Sequence, residues 1–367
     1  PMGGSLSLAT NGRMTAGMKS IDALVDVADL DWRMGADRID ADSIHLSLAS
    51  DSVTLASLTS GDMALRLNAR SPLMTIVDRL SGVPVLIDSA IALKKVDVIA
   101  LQHTLPPIDA HLMAGRHNFA SDYMARTSKT SWDSLTFTLR NDSLIHMRSR
   151  VLGLRVGANR LDTIAFDANQ KGKHLVFSAS MNERPGSMDN FAHVSLTGFI
   201  ADDRLSMLVR QSNIKGERGF NIGMNVVAAD SAITIRFVPR KPTIGYKQWA
   251  INPDNFVTYD FARKFVSANL ALEGEDSSLK LYTLNETAAA DQEDIALELS
   301  KIHLQDWLSI SPFAPPIKGD LGANLRFHLA NEQLTGRGVA SLANLYYGRD
   351  RVGSFDLDLD AVSYTHL

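Results

Sequence analysis

The sequence predicts an all-β protein, an elongated antiparallel β-sheet whose strands each carry one apolar and one polar face. Three observations predict it. In "GDLGANLRFHL" the odd positions hold Leu321, Ala323, Leu325, Phe327 and Leu329, and the even positions include Asp320, Asn324, Arg326 and His328. Successive strand side chains point to opposite faces, so this is the pattern of a half-buried strand. The same alternation recurs from one end of the 367-residue chain to the other. Turn-forming strings ("NDS", "NQKGK", "DDR", "NIKGERG", "EGEDSS", "NEQ", "GRDRVG") punctuate it at the short intervals of a meander.

Taken in order, "SIDALVDVADL" fits both the helical and the strand period, whereas "SIHLSLA" sends Ile44, Leu46 and Leu48 to one side and "DMALRLNA" does so with Met63, Leu65 and Leu67. "SPLMTIVDRLSG" has helical spacing at Leu73, Ile76, Val77 and Leu80, with Ser71 as N-cap, Pro72 in the first turn and Gly82 as the stop. "RHNFASDYMAR" and "LQDWLSI" have room for a turn or two of helix each. The remaining clear runs are strands: "DSLTFTLR" (Leu135, Phe137, Leu139), "GFNIGMNV" (Phe220, Ile222, Met224, Val226), "AITIRFV" (Ile233, Ile235, Phe237), "DIALELS" (Ile295, Leu297, Leu299) and "GSFDLDLD" (Phe355, Leu357, Leu359). At about 12 to 15 residues per strand and connection, the length accommodates roughly 25 strands.

The organisation read from these patterns is a β-body over residues 1–287, a connector at 288–294 inside the alanine-rich "NETAAADQED", and a continuing sheet over 295–361. "NERPGSMDN" and "PRKP" read as surface loops. Both ends look cut, and "VSYTHL" (residues 362–367) is set apart as a non-native tail. The start, "PMGGSLSLATNGRM", lacks the charged and apolar regions of a signal peptide, so a targeting segment of an exported parent would lie outside this stretch.

Composition is that of a globular chain, 45% hydrophobic and 21% charged. The 37 Lys and Arg against 41 Asp and Glu leave a net charge of −4, too near neutral for a nucleic-acid binder or a polybasic membrane arm. With no cysteine there is neither a disulfide framework nor a thiolate metal site, and an oxidising compartment such as the periplasm is open to the chain. No sequence run of about 18 apolar residues could span a bilayer.

The sequence holds no GxSxG, no GxxxxGK[ST], no HExxH and no GxGxxG following a strand. "GRGVAS" has two of three phosphate-loop glycines but lies in a strand pattern. His103, His111 and His117 match no zinc spacing, and the expectation is surface histidines, no metal and no cofactor. Asp356, Asp358 and Asp360 lack the glycine and glutamate of a calcium loop and read as a wet strand face. "RFVPRKPTIGYKQW" mixes Arg236, Arg240, Lys241 and Lys247 with Phe237, Tyr246 and Trp249, and reads as a solvated loop rather than a nucleic-acid grip. The expectation is a protein that is not an enzyme.

So many one-faced strands with so few helices must turn their apolar face on itself, as a sandwich, a β-helix or a trough. Aromatics are sparse at 7%, and the inward positions favour Leu, Ile, Val, Ala and Met, which points to a thinly lined interior. Here a resemblance enters. "DIALELSKIHLQDWLSISPFAPPIKGDLGANLRFHLANEQLTGRGVASLANLYYGRDRVGSFDLDLD" resembles the translocation and assembly module TamB family, within the AsmA-like group, in the order of its strands, short helical turn, proline-rich step and hairpin. "YKQWAINPDNFVTYD" is similar to that family's tryptophan-bearing segment through Trp249, Ile251, Pro253, Asn255 and Phe256. The rest of the chain agrees in alternation alone.

The resemblance implies a periplasm-spanning, taco-like sheet with a hydrophobic groove that carries phospholipid between the inner and outer membranes of a Gram-negative cell envelope. It also implies an inner-membrane anchor and a C-terminal domain meeting an outer-membrane β-barrel protein, neither of which this stretch holds. The expected groove lining is Ile233, Ile235 and Phe237, then Ile295, Leu297 and Leu299, then Ile317, Leu321, Leu325, Phe327 and Leu329, and finally Phe355, Leu357 and Leu359. Two alternatives stand beside it: a scaffold for outer-membrane protein assembly through exposed strand edges, and an extracellular carbohydrate-active β-helix enzyme, which would need an aromatic cleft with converging carboxylates.

Overall fold

A computed structural model describes residues 2–15, 20–34, 37–93, 95–157, 159–182, 193–229, 231–262, 264–284, 294–310, 314–330 and 333–364. The chain is all-β and antiparallel, with 24 strands and four helices among the described residues. It divides into two compact units, Pro1–Ser187 with Phe199–Asp202, and Met188–Gly198 with Asp203–Leu367.

The first unit opens with three long strands, β1 (Met2–Met14), β2 (Ile21–Met34) and β3 (Asp37–Ser50), followed by β4 (Thr54–Ser60) and β5 (Met63–Ala69). Each pairs with its successor. The ambiguous "SIDALVDVADL" is therefore strand, part of β2, because pairing on both sides rewards the extended form. Helices α1 (Leu73–Leu93) and α2 (Val98–Thr104) interrupt the meander, which resumes with β6 (Ile108–Ala114). Then come α3 (Phe119–Thr127), the two-residue β7 (Thr130–Ser131), β8 (Ser134–Asn141), β9 (Ile145–Val156), β10 (Asn159–Lys171) and β11 (His174–Asn182). Pairing runs β5–β6–β8–β9–β10–β11, and β7 adds to β9.

Helix α1 departs from the sequence expectation at both ends. Its first amide, Leu73 N–H, donates to Ser50 Oγ at 2.8 Å, so the cap comes from the end of β3 and not from Ser71, whose carbonyl accepts from Thr54 Oγ1. It also runs on through Gly82 and Pro84. A proline removes one backbone donor, and the apolar residues beyond it, Val85 and Leu86, continue the helical pattern.

A nine-residue strand, β12 (His193–Ala201), precedes the second unit's main run of β13 (Arg204–Ser212), β14 (Arg218–Ala228) and β15 (Ala232–Ile244). The short β16 (Lys247–Gln248) and β17 (Ala250–Ile251) lead to β18 (Phe256–Asp260), β19 (Phe265–Glu273), β20 (Ser278–Thr283) and β21 (Asp294–His303). Helix α4 (Leu304–Leu308) separates these from β22 (Ile317–Ala330), β23 (Gln333–Tyr347) and β24 (Asp350–Tyr364). The ladder is β13–β14–β15–β18–β19–β20–β21–β22–β23–β24, with β16 on β15 and β17 on β19.

Two organisational expectations are corrected. The stretch 288–294, mostly outside the described residues, does not separate bodies, because β20 and β21 on either side of it pair directly from Ser278↔Ser300 to Thr283↔Ile295. "RFVPRKPTIGYKQW" is not a solvated loop. It forms the end of β15 and the approach to β17, with Ile244 1% and Trp249 4% exposed. Register shifts between Asn221 and Gly223 opposite this stretch, so Pro239 and Pro242 fall where no ladder donor is required. Strand β24 runs through Tyr364 and so takes in the first three residues of the 362–367 segment.

Candidate functional site

Residues directly opposite one another in an antiparallel pair project from the same face, so the register lets side-chain rows be followed across each unit. In the first, one row reads Val25, Leu46, Leu58, Leu65, Leu112, Phe137, Ser149, Phe166 and Ala179, from β2 to β11. Two residues along, a second reads Ala23, Leu48, Ala56, Leu67, Ala110, Leu139, Met147, Ala168 and Phe177. With strands about 4.8 Å apart, a row crossing nine strands is about 38 Å long. The intervening row is polar: Arg66, His111, Thr138, Arg148, Asp167 and Ser178.

The second unit repeats the arrangement. Ile251, Leu272, Leu279, Leu299, Ala323, Ala340 and Leu357 form one row, and Leu270, Leu281, Leu297, Leu325, Gly338 and Leu359 the next. Ile302, Leu321, Leu342 and Phe355 make a third, and Leu205, Val226, Ile235, Val257 and Ala268 another nearer the start of the unit. On the opposite face the corresponding row is Ala271, Lys280, Glu298, Asn324, Val339 and Asp358.

Most of the expected lining residues meet in these rows. Leu297, Leu325 and Leu359 share one, Leu299 and Leu357 another, Leu321 and Phe355 a third, and Ile295 lies opposite Phe327. Ile233 stands apart opposite Tyr259, Phe237 is opposite Met224, and Ile317 lies beyond the register shift around Gly319. From Ile233 to Phe327 all are half-buried, whereas Phe355, Leu357 and Leu359 are 46%, 56% and 37% exposed. The side chain of Leu329 lies outside the described residues.

Helices and tryptophans close the ends of the strands. In the first unit Ile76 of α1 packs with Ala69, Ile108 and Ala110 against Leu67 and Leu139. At the other strand ends, α3 brings Ala120 and Met124 onto Met63, Ala114 and Trp132. Helix α3 is fixed there by a capping box between Asn118 and Ser121. Asp62 holds the preceding loop, accepting from Asn118 Nδ2 at 2.7 Å and from the His117 amide. Burial works against the Asp62 charge, but these donors outweigh it and lower its pKa.

In the second unit the closure is a core of Phe220, Ile244, Trp249, Ile251, Leu270, Leu272 and Ile302, with Trp307 of α4 packed against it. Trp249 donates from Nε1 to the Ile244 carbonyl at 3.2 Å and meets Trp307 edge-on at 5.8 Å. Leu279, Leu299 and Leu321 pack against the same core; Leu297, Leu325 and Phe327 belong to none of the core clusters found among the described residues. The apolar face thus has a plugged margin and a half-open middle. Sequence reasoning missed Leu279 and Leu281, although "SLKLYT" alternates, and it missed Ile302, whose even position becomes inward because the register shifts between Leu299 and Ile302.

Polar chemistry lies elsewhere. His103 is exposed on α2, His111 is exposed on β6 and contacts Asp109 at 2.6 Å, and His117 is exposed in the loop before α3. No set of three metal-ligating side chains occurs among the described residues. Asp356 and Asp358 line an open depression with Glu298, and no aromatic ring lines it. The densest ionic cluster surrounds His303, whose Nδ1 contacts Asp320 at 2.6 Å and Nε2 contacts Asp276 at 3.0 Å. Lys301 also contacts Asp276, and its hydrogen bond with that of His303 holds the Asp276 carboxyl well below the usual carboxylate range. No described helix is long and apolar enough to cross a membrane. Compared with protein-family models, curated proteins and solved structures, the chain finds no match.

Proposed function

We propose that this chain binds the acyl chains of phospholipid along its apolar sheet faces and conducts them, as part of a TamB-like protein of the Gram-negative periplasm, without catalysis. The observation that carries the reading is the set of aligned apolar rows whose middle residues stay half-open while their margins are plugged. Two acyl chains of about 15 methylenes each would cost roughly 24 kcal/mol to hold in water at about 0.8 kcal/mol per methylene. A long apolar row lowers that barrier by partition alone, and its lateral direction, across strands, lets a chain slide past side chains that are apolar but for Ser149 in the first unit. Apolar surface left open to water is itself unfavourable in proportion to its area, which favours an apolar occupant.

The resemblance through "IKGDLGANL" and "GRGVASLANLYYG" supplies the setting: an inner-membrane anchor before this stretch and an outer-membrane partner after it. Native mass spectrometry of protein purified from membranes should find diacyl lipid bound, and delipidated protein should take up a fluorescent fatty acid. A delipidated protein that takes up no such probe while keeping its β-sheet spectrum would defeat the reading. Retention of an outer-membrane β-barrel protein with no lipid bound would favour the assembly-scaffold role.

A further inference from the structure

Acyl-chain binding makes no use of the ionic cluster that sits against the tryptophan plug. His303 ends β21 and is the N-cap of α4. Its side chain is 14% exposed, and both ring nitrogens face carboxylate oxygens, Asp320 Oδ1 at 2.6 Å and Asp276 Oδ2 at 3.0 Å. Carboxylates accept and do not donate, so both contacts are hydrogen bonds together only when the ring is an imidazolium, which donates from both nitrogens. A neutral ring donates from one and turns a lone pair toward the other carboxylate.

The elements joined by His303 are those that cover the plug. Asp276 lies in the turn between β19 and β20, and the same turn rests on Trp249: a Cβ built on Gly274 would stand 3.3 Å from the indole. Ser277 Oγ ties that turn to the Lys301 carbonyl at 2.7 Å. Asp320 is on β22, and α4 carries Trp307 onto Trp249. We propose that protonated His303 is a pH-operated clamp holding α4 and the β19–β20 turn over the Trp249–Trp307 pair, and that loss of its proton uncovers this margin of the apolar face.

The surrounding charges set the direction. Burial opposes the charged ring, and Lys247 on β16 opposes it as well, but the hydrogen bonds to Asp276 and Asp320 prevail and the His303 pKa stands above the ordinary imidazole value. Asp276 faces it from the turn and Asp320 from β22; Lys301 of β21 pairs with the same Asp276, and Lys247 is itself paired with Asp306 of α4 at 3.0 Å and attracted by Glu275 of the turn. With a raised pKa in the closed form, the clamp is fully engaged below about 6.5 and is lost as pH rises from there through the raised value. Within that window the open fraction grows up to about tenfold per pH unit. When the proton leaves, Asp276 still has Lys301, so the remaining N–H stays with Asp320 and the tie to the turn is the one released.

The experiment is 19F NMR of 5-fluorotryptophan-labelled protein, with the Trp249 and Trp307 signals assigned by Trp→Phe variants and their exposure read from the H2O/D2O isotope shift. Between about pH 5.5 and 9 both should become more exposed in one transition whose midpoint lies above about 6.5, while the Trp132 signal stays flat. His303→Gln should show the exposed value at every pH. Asp276→Asn, which keeps the turn and removes one carboxylate, should move the midpoint down, and it carries the test should His303→Gln fail to fold. A flat wild-type profile, a His303→Gln variant that keeps the transition, or an unmoved Asp276→Asn midpoint would each overturn the clamp. The readout is tryptophan burial, so it stands whether or not the apolar face carries lipid.

Discussion

Leu325→Asp separates a lipid-carrying face from a merely structural one. Leu325 lies between Leu297 and Gly338 in register, half-buried and outside every described core cluster. Full burial of a leucine contributes about 1.5 to 3 kcal/mol, so half-burial contributes about 1 kcal/mol and the variant should fold. While the face is wet the new carboxylate stays hydrated. An acyl chain lying over it would strip that hydration at a cost of several kcal/mol; at ~3 kcal/mol, affinity for a fluorescent fatty acid falls more than a hundredfold. Binding should partly return as pH falls, because a protonated carboxyl loses less on desolvation. Asn324→Asp and Arg326→Gln, exposed on the opposite face, should leave binding within about twofold of wild type, as surface changes usually leave stability within about 0.5 kcal/mol. Titration of the probe into each variant, with folding checked by circular dichroism, is the assay. If Leu325→Asp binds like wild type while Arg326→Gln does not, either the facing or the conduit is wrong.

Three further outcomes are expected. Trp249→Ala removes a side chain that is 4% exposed at the centre of the second unit's core, and urea unfolding of that unit should lose about 3 to 5 kcal/mol. Asp62→Ala removes the acceptor of the His117 amide and one of the two acceptors of Asn118 Nδ2 and, at this exposed position, should cost about 0.5 to 1.5 kcal/mol. Because the folded Asp62 pKa is depressed, the wild-type advantage should hold above about pH 4 and disappear as pH falls through the folded value, which paired urea titrations would show. Gly338→Ala should weaken the β22–β23 pairing, because Gly338 has φ +145° and an added Cβ would clash with the Asn324 carbonyl; amide exchange in β23 should accelerate, and unchanged protection would refute the strain argument.

Some of this was written locally in the chain. Strand side chains alternate with period two, so Leu321, Ala323, Leu325 and Phe327 share a face wherever that strand is placed, as do Leu357 and Leu359. The turn strings mark where such strands reverse, and "NFASDY" holds its own capping box. The all-β class, the meander and the two-faced character were therefore legible before any tertiary contact was known. Other features depend on residues far apart in sequence. The cap of α1 comes from Ser50, 23 positions away from Leu73. The alignment of Leu270, Leu281, Leu297, Leu325 and Leu359 into one row is set by the register of successive pairings. The shift between Leu299 and Ile302 turns an even residue inward. "PRKPTIGYKQW" has the composition of a loop and becomes core because Trp249 finds Trp307 across 58 residues of chain. What the sequence by itself determined is thus which residues share a face, because that follows from local backbone geometry. Which faces line up into rows, where they are plugged and which ions gather around His303 were decided by the tertiary structure, because register and packing are set by partners that local geometry does not specify.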